Sequence, residues 1–66
     1  MRIMINGQWN EREPNLNVAD LLVALSLEPR RVAVELNRRI VPRSRYGQTP
    51  LADQDQLEIV TLVGGG

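Results

Sequence analysis

The residues with the most evident chemical potential stand at the end of the sequence, where "LEIVTLV" is followed by Gly64, Gly65 and Gly66. Glycines have no Cβ, so such a segment can thread a narrow channel and adopt backbone angles closed to other residues. A carboxylate at the end of this glycine segment could reach another protein's active site while its own domain stays docked outside. ATP would activate it as an acyl-adenylate, which has a good leaving group. A floppy terminus or a cloning remnant explains three glycines equally well from the residues alone.

The other side chains offer little for catalysis. The 66 residues include no cysteine, histidine or lysine, which excludes a disulfide, a thiolate zinc site and the usual general base. Asp53 and Asp55 stand two apart in a turn-like stretch, a spacing more typical of backbone capping than of a catalytic carboxylate pair. The sequence therefore predicts no active site and no metal site within the chain.

Composition predicts one small domain with a thin core. The formal net charge is zero, but six of the eight arginines lie between Arg30 and Arg45. Arginine clusters can track phosphates, yet only Tyr46 is nearby for base stacking, which favours a solvated surface or an acidic partner over nucleic acid. The start "MRIMIN" lacks a secretory apolar run, and the longest apolar stretch is "LLVAL". We expect a cytoplasmic protein with no membrane contact.

The first half of the sequence predicts a hairpin and a helix. Asn6-Gly7 between "RIMI" and "QWNE" is the strongest short-range signal for a two-residue type I′ turn. Asn17 is a good N-cap, with Asp20 at the third helical position. Pro29 should end the helix after about ten residues. The apolar stripe of this helix consists of Val18, Leu21, Leu22 and Leu25.

The second half predicts three more strands. "VAVEL" leads through a turn at Asn37-Arg38 into the short strand "IV". Ser44 would cap a brief helical turn that Gly47 ends. "QLEIVTLV" alternates in polarity and should form the last strand. Leu51, in the loop before it, is expected to anchor in the core.

One helix across one face of a mixed sheet of four to five strands is an α+β, β-grasp (ubiquitin-like) fold. Residues 1–63 would form the β-grasp domain and residues 64–66 a flexible C-terminal glycine tail. The helix should bury Ile3, Ile5, Val34, Leu36, Leu57 and Ile59. The opposite face would expose Met4, Trp9, Val60 and Leu62, and an apolar area of this kind commonly marks a partner surface. Alternatively, Trp9 folds over the hairpin edge and shields its own neighbours.

The sequence resembles the ThiS family, the ubiquitin-like sulfur carriers of thiamine biosynthesis within the MoaD/ThiS superfamily. The resemblance runs nearly end to end through "MRIMING", "NVADLL", "VAVELNRRIVPRS", "TPLADQDQLEIV" and "VGGG", and "ELNRRIVPRS" is its most specific part. Arg38 and Gln54 stand where the family often has glycine, and Trp9 departs from the family pattern. A left-handed backbone at Gln54 would cost about 1 kcal/mol.

The resemblance implies a carrier that is not itself an enzyme and holds no cofactor. Gly66 would be adenylated by an E1-like adenylyltransferase of the ThiF type, which consumes ATP, and converted to a thiocarboxylate. The sulfur would come from a donor such as a cysteine desulfurase. Gly64 and Gly65 would pass through the partners' channels, and thiazole synthase of the ThiG type would take the sulfur for the thiazole moiety of thiamine.

Three alternatives remain open at this point. The same chemistry could serve molybdopterin-type or tungstopterin synthesis or another sulfur acceptor, although the "VPRS" segment favours the thiazole branch. The chain could instead be a ubiquitin-like protein modifier. A third reading is a non-covalent module whose arginines contact RNA.

Overall fold

A computed structural model describes residues 1–63 and shows one mixed five-stranded sheet with one α-helix. The sheet order is β2-β1-β5-β3-β4, in which the last strand, β5, lies in the centre, parallel to β1 and antiparallel to β3. This arrangement confirms the predicted β-grasp class. The elements in chain order are β1 (Arg2–Ile5), β2 (Gln8–Glu11), α1 (Val18–Ala24), a 3₁₀ turn (Pro29–Arg31), β3 (Val32–Leu36), β4 (Arg39–Val41), a 3₁₀ segment (Arg43–Gln48) and β5 (Gln56–Thr61).

The first hairpin has the predicted register, with Ile5 opposite Gln8 and Met4 opposite Trp9. Asn6 and Gly7 have φ values of 50° and 83°, the left-handed conformation that a type I′ turn requires. Because that turn has two residues, it leaves a single register for the strands it joins.

The core forms between α1 and the inward face of the sheet. The predicted stripe residues Val18, Leu21 and Leu22 are buried, whereas Ile5 and Leu36 are only partly buried against the core. Tyr46 is also buried, and its hydroxyl donates to the Val32 carbonyl oxygen at 3.3 Å. The buried hydrophobic set is Ile3, Val18, Leu21, Leu22, Val32, Val34, Val41, Tyr46, Leu51, Leu57 and Ile59.

The helix begins as predicted but ends earlier. Asn17 and Asp20 form a capping box, in which Asn17 Oδ1 accepts from the Asp20 N–H at 2.7 Å and Asp20 Oδ2 accepts from the Asn17 N–H at 3.0 Å. The helix stops at Ala24 after seven residues, because Ser26 adopts φ 59° and its N–H bonds the Val23 carbonyl. The prediction that Pro29 ends the helix is therefore wrong. Pro29 is instead the first residue of the 3₁₀ turn that follows.

The helix end is a Schellman motif made without glycine. The Leu27 N–H bonds the Leu22 carbonyl at 2.9 Å, and the Ser26 N–H bonds the Val23 carbonyl at 3.0 Å. These are the two bonds that define the motif, and they satisfy carbonyls the helix leaves open. Both Leu22 and Leu27 contribute to the core, so packing stabilises this ending.

Three local predictions in the second half are wrong. Ser44 does not cap a helical turn, because the N-cap position of the 3₁₀ segment is Pro42 and no side chain caps the segment. Gly47 does not end the segment but lies within it. The last strand ends at Thr61, two residues short of the predicted end. Gln54 does adopt a left-handed backbone, with a φ of 75°, so the cost of that conformation applies at this position.

Candidate functional site

The central strand β5 carries the chain toward its terminal glycines. It pairs with β3 from Leu57 opposite Leu36 to Thr61 opposite Val32. The Leu62 N–H then donates to the Arg31 carbonyl oxygen at 2.7 Å. The sheet therefore holds the backbone as far as Leu62, while the Val63 side chain is 98% exposed.

On its other side, β5 is held by a side chain. β1 pairs with β5 at Met4 and Ile5 and then turns away. Asn6 continues the pairing: its Nδ2 donates to the Ile59 carbonyl oxygen at 3.0 Å, and its Oδ1 accepts from the Ile59 N–H at 2.7 Å. The sequence pattern identified Asn6 only as a turn residue.

A second hairpin asparagine, Asn37, holds the start of β5. Asn37 donates its backbone N–H to the Gln56 carbonyl oxygen at 2.8 Å, and its Oδ1 accepts from the Gln56 N–H at 3.0 Å. Its Nδ2 donates to Asp55 Oδ1 at 3.0 Å. The strand that leads to the glycines is thus clamped by the turns of both hairpins.

The four predicted partner-surface residues divide into two groups. Met4 and Trp9 are cross-strand neighbours, and the Arg2 guanidinium lies 4.5 Å from the Trp9 ring centroid. Val60 lies opposite Ala33 near the end of β5, with Leu62 just beyond the strand. We call the first group the hairpin patch (Arg2, Met4 and Trp9) and the second the strand-end patch (Val60 and Leu62).

Two glutamates separate the patches on the outer face of the sheet. Met4 pairs with Gln56, which precedes Val60 by four residues, or about 13 Å along a strand. Between these levels, Glu58 lies directly opposite Glu35. Because side chains alternate between faces, both glutamates point the same way as Val60. The two glutamates therefore lie between the two patches, and the exposed Ile40, which pairs with Glu35, lies on the same face.

The two aspartates cap backbone groups, as predicted. Asp53 Oδ1 accepts from the Arg2 N–H at 2.7 Å, and this hydrogen bond is the main cause that lowers the pKa of Asp53. Asp55 Oδ2 accepts from the Ala52 N–H at 2.8 Å. Within residues 1–63 no group of acidic side chains is arranged to hold a metal ion, and no helix there is long and apolar enough to cross a bilayer.

The remaining predicted site residues, Gly64, Gly65 and Gly66, lie outside the described residues. What the structure does define is their attachment point. The central strand is bonded on both sides, with the side chains of Asn37 and Asn6 holding Gln56 and Ile59, and Leu62 and Val63 connect its end to the glycines.

The architecture defines a β-grasp domain whose last strand is central, and similarity to known proteins places it in a family. The model of the ThiS family matches residues 3–66, and the chain belongs to that family. It is 45% identical over 67 residues to the sulfur carrier protein ThiS of Bacillus subtilis, covering 97% of this chain and 98% of that protein.

A solved structure and two larger proteins extend the comparison. The crystal structure of the thiamine biosynthesis protein (ThiS) from Geobacter metallireducens superposes with a TM-score of 0.87 at 33% identity, covering 100% of both chains. Proteins named thiazole synthase match 100% of this chain, at 44% identity in Paramagnetospirillum magneticum and 39% in Magnetococcus marinus. The chain spans only 20% of the length of each of these two relatives.

Proposed function

We propose that this chain is a sulfur carrier in thiamine biosynthesis, and that it carries sulfur as a thiocarboxylate on Gly66. One observation carries the proposal: the family match extends from residue 3 to residue 66 and so includes all three terminal glycines. The similarity to a named sulfur carrier, matched over nearly the whole of both chains, supports the same function.

The chemistry requires an activated carboxylate. A carboxylate is a poor acyl donor, so its oxygen first attacks the α-phosphorus of ATP, which releases pyrophosphate and leaves an acyl-adenylate. Hydrosulfide then adds to the acyl carbon, the carbon–oxygen bond to AMP breaks, and a thiocarboxylate and a proton result. If the sulfur arrives as a protein persulfide, an acyl disulfide forms instead, and a thiol must reduce it to free the thiocarboxylate.

The folded body contributes position rather than reactivity. β5 directs the chain out of the centre of the sheet, and the two asparagines bond it at its first residue, Gln56, and at Ile59. Gly64 and Gly65 would continue the chain through the partners' channels, because residues without a Cβ fit a narrow channel that other residues would not. The adenylating and sulfur-accepting groups would then belong to the partners.

The proposed partners are an E1-like adenylyltransferase, a sulfur donor such as a cysteine desulfurase, and thiazole synthase as the acceptor. The last is supported by the two larger relatives named thiazole synthase, each of which contains a region similar to this whole chain. Covalent linkage of two domains in one protein raises their effective concentration, which is useful when one must deliver a group to the other.

Deletion of Gly66 tests the proposal. All residues of the buried core lie between Ile3 and Ile59, so the shortened chain should unfold at the parental temperature. We expect it to support no thiazole formation in a reconstituted assay with the adenylyltransferase, a sulfur donor and thiazole synthase. A Val63→Ala variant, which keeps all three terminal glycines and the full chain length, should remain active. Thiazole formation by the shortened chain at the parental rate would contradict the proposal.

A further inference from the structure

We infer that the end of the domain from which the glycines depart docks against an apolar pocket rimmed by carboxylates on the adenylating partner. This docking surface, which we call the strand-end surface, consists of the strand-end patch and three arginines, Arg30, Arg31 and Arg43. This inference rests on the proposed function and adds the charge of the partner's surface to it.

Backbone contacts place the three arginines beside the end of β5. The Leu62 N–H bonds the Arg31 carbonyl oxygen at 2.7 Å, so the 3₁₀ turn lies against the residue that follows the strand. Arg43 reaches the same turn, because its Nη2 donates to the Arg30 carbonyl oxygen at 3.2 Å. Residues distant in sequence therefore converge where the chain leaves the sheet.

The fold divides the arginine cluster seen in the sequence. Arg38 and Arg39 lie at the turn between β3 and β4, where Asn37 is bonded to Gln56 at the start of β5. They are consequently at the opposite end of the sheet from Arg30 and Arg31. One pair of adjacent arginines therefore lies at each end of the sheet. Arg30 and Arg31 are the pair next to the residues that lead to the glycines.

Little negative charge offsets the arginines at this end. Arg31 Nε lies 3.3 Å from Glu28 Oε2, with the two side chains 72% and 65% exposed. Such an exposed pair is screened by solvent and contributes little. Asp53 and Asp55 lie at the far end, bonded to Arg2 and Asn37. Glu58 lies two residues before Val60 on the same face of the sheet. A chain with zero formal net charge thus carries three arginines against Glu28 and Glu58 around this end.

Exposed apolar side chains lie next to this positive group. In the strand-end patch, the Val60 side chain is 57% exposed and the Leu62 side chain 46% exposed. Apolar anchors surrounded by arginine are typical of protein interfaces, since interface cores bury apolar area and arginine is enriched there. Complementary carboxylates on the partner would speed encounter and orient the chain before the apolar contacts form.

A protein partner fits this surface better than a nucleic acid does. Single-stranded nucleic acids are bound by basic grooves combined with aromatic stacking. Tyr46 is buried, and Trp9 lies in the hairpin patch. The strand-end surface therefore combines positive charge with aliphatic side chains.

The test compares two variants with equal changes in charge. Arg30→Glu/Arg31→Glu alters the strand-end surface, and Arg38→Glu/Arg39→Glu alters the far end. Association of each with the cognate adenylyltransferase is measured without ATP over a range of salt concentrations. We expect the first variant to associate about tenfold more slowly than the parent at low salt and to converge with it at high salt. The control should stay within about twofold of the parent.

Several results would overturn the inference. They are equal losses in both variants, no loss in the first, no association of the parent, or salt-sensitive binding of the parent to single-stranded RNA that the first variant lacks. Arg30→Gln/Arg31→Gln provides a milder change if the reversed variant unfolds. Because association is measured without ATP, its outcome is separate from the proposed function, which is tested by thiocarboxylate formation on the parent at saturating enzyme.

Discussion

Asn6 forms two hydrogen bonds with the backbone of Ile59, donating to its carbonyl oxygen at 3.0 Å and accepting from its N–H at 2.7 Å. The two residues are 53 positions apart in the sequence. The side-chain amide thus acts as one more residue of the neighbouring strand. It completes the bonding of the central strand shortly before that strand leads to the glycines.

Removal of this amide should weaken β5 locally and the domain globally. Asn6→Gly keeps a residue suited to the φ of 50° but loses both hydrogen bonds, so we expect a loss of about 1–3 kcal/mol in the free energy of unfolding. Asn6→Asp keeps the acceptor for the Ile59 N–H but sets a carboxylate oxygen against the Ile59 carbonyl oxygen, so it should destabilise the domain as well. Denaturant unfolding measures both variants. An Ile59 amide exchange rate unchanged in Asn6→Gly would show that the clamp does not hold the strand.

A glycine at position 54 should stabilise the protein. Gln54 has a φ of 75°, and a left-handed backbone costs about 1–2 kcal/mol for a residue with a Cβ. The added chain entropy of glycine offsets about 0.5–1 kcal/mol of that gain. Gln54→Gly should therefore raise the melting temperature by roughly 4 °C. Gln48→Gly, at an exposed position without positive φ, should lower it. Lower stability in both variants would argue against strain at Gln54.

Asp53 should make stability depend on pH at the acidic end. Its pKa is lowered because its carboxylate accepts the Arg2 N–H and a hydrogen bond from Gln54. The unfolded chain, with a pKa of about 3.9, then binds more protons than the folded one. The stabilisation is present above about pH 4 and is lost as the pH falls through the folded pKa. The stability difference between the parent and Asp53→Asn should shrink from pH 7 to pH 3, and a constant difference would refute this role.

The hairpin patch should contribute to docking. Trp9 is 39% exposed beside Met4, with Arg2 against its ring, and tryptophan is enriched among residues that dominate binding. We expect Trp9→Glu to weaken the affinity for the adenylyltransferase or thiazole synthase at least tenfold while the domain stays folded. Val23→Glu, at a 75% exposed helix position, is the matched control. Unchanged affinity of Trp9→Glu for both partners would assign Trp9 a shielding role.

Where short-range chemistry decides the conformation, the sequence predicted the structure well. The Asn6-Gly7 turn fixes a two-residue loop and therefore the register of the whole hairpin. Asn17 and Asp20 determine the helix start because their side chains bond each other's backbone. The predicted helix end is wrong because Ser26 takes the left-handed conformation that glycine usually supplies. Pro29, three residues further on, is the stronger stop signal in the sequence.

The features that depend on topology could not be predicted in the same way. No local pattern indicates that Asn6 and Asn37 bond a strand that begins at Gln56. Likewise, Arg43 returns to the turn that contains Arg30 because the chain reverses between β3 and β4. The separation of Met4 from Val60 depends on the parallel pairing of β1 with β5, which the alternation of side chains alone does not specify.

The most direct measurement is the mass of the chain after incubation with ATP, a sulfur source and the cognate adenylyltransferase. We predict a mass increase equal to the exchange of one oxygen for sulfur, located at Gly66 by fragmentation. Because the sequence has no cysteine, a thiol-directed alkylating reagent should then add the mass of one alkyl group at the same residue. Fragmentation is essential because oxidation of Met1 or Met4 adds nearly the same mass. Thiazole synthase is left out of this reaction, because transfer of the sulfur would restore the carboxylate. An unmodified Gly66 in a reaction that forms thiazole once the synthase is added would contradict the central claim.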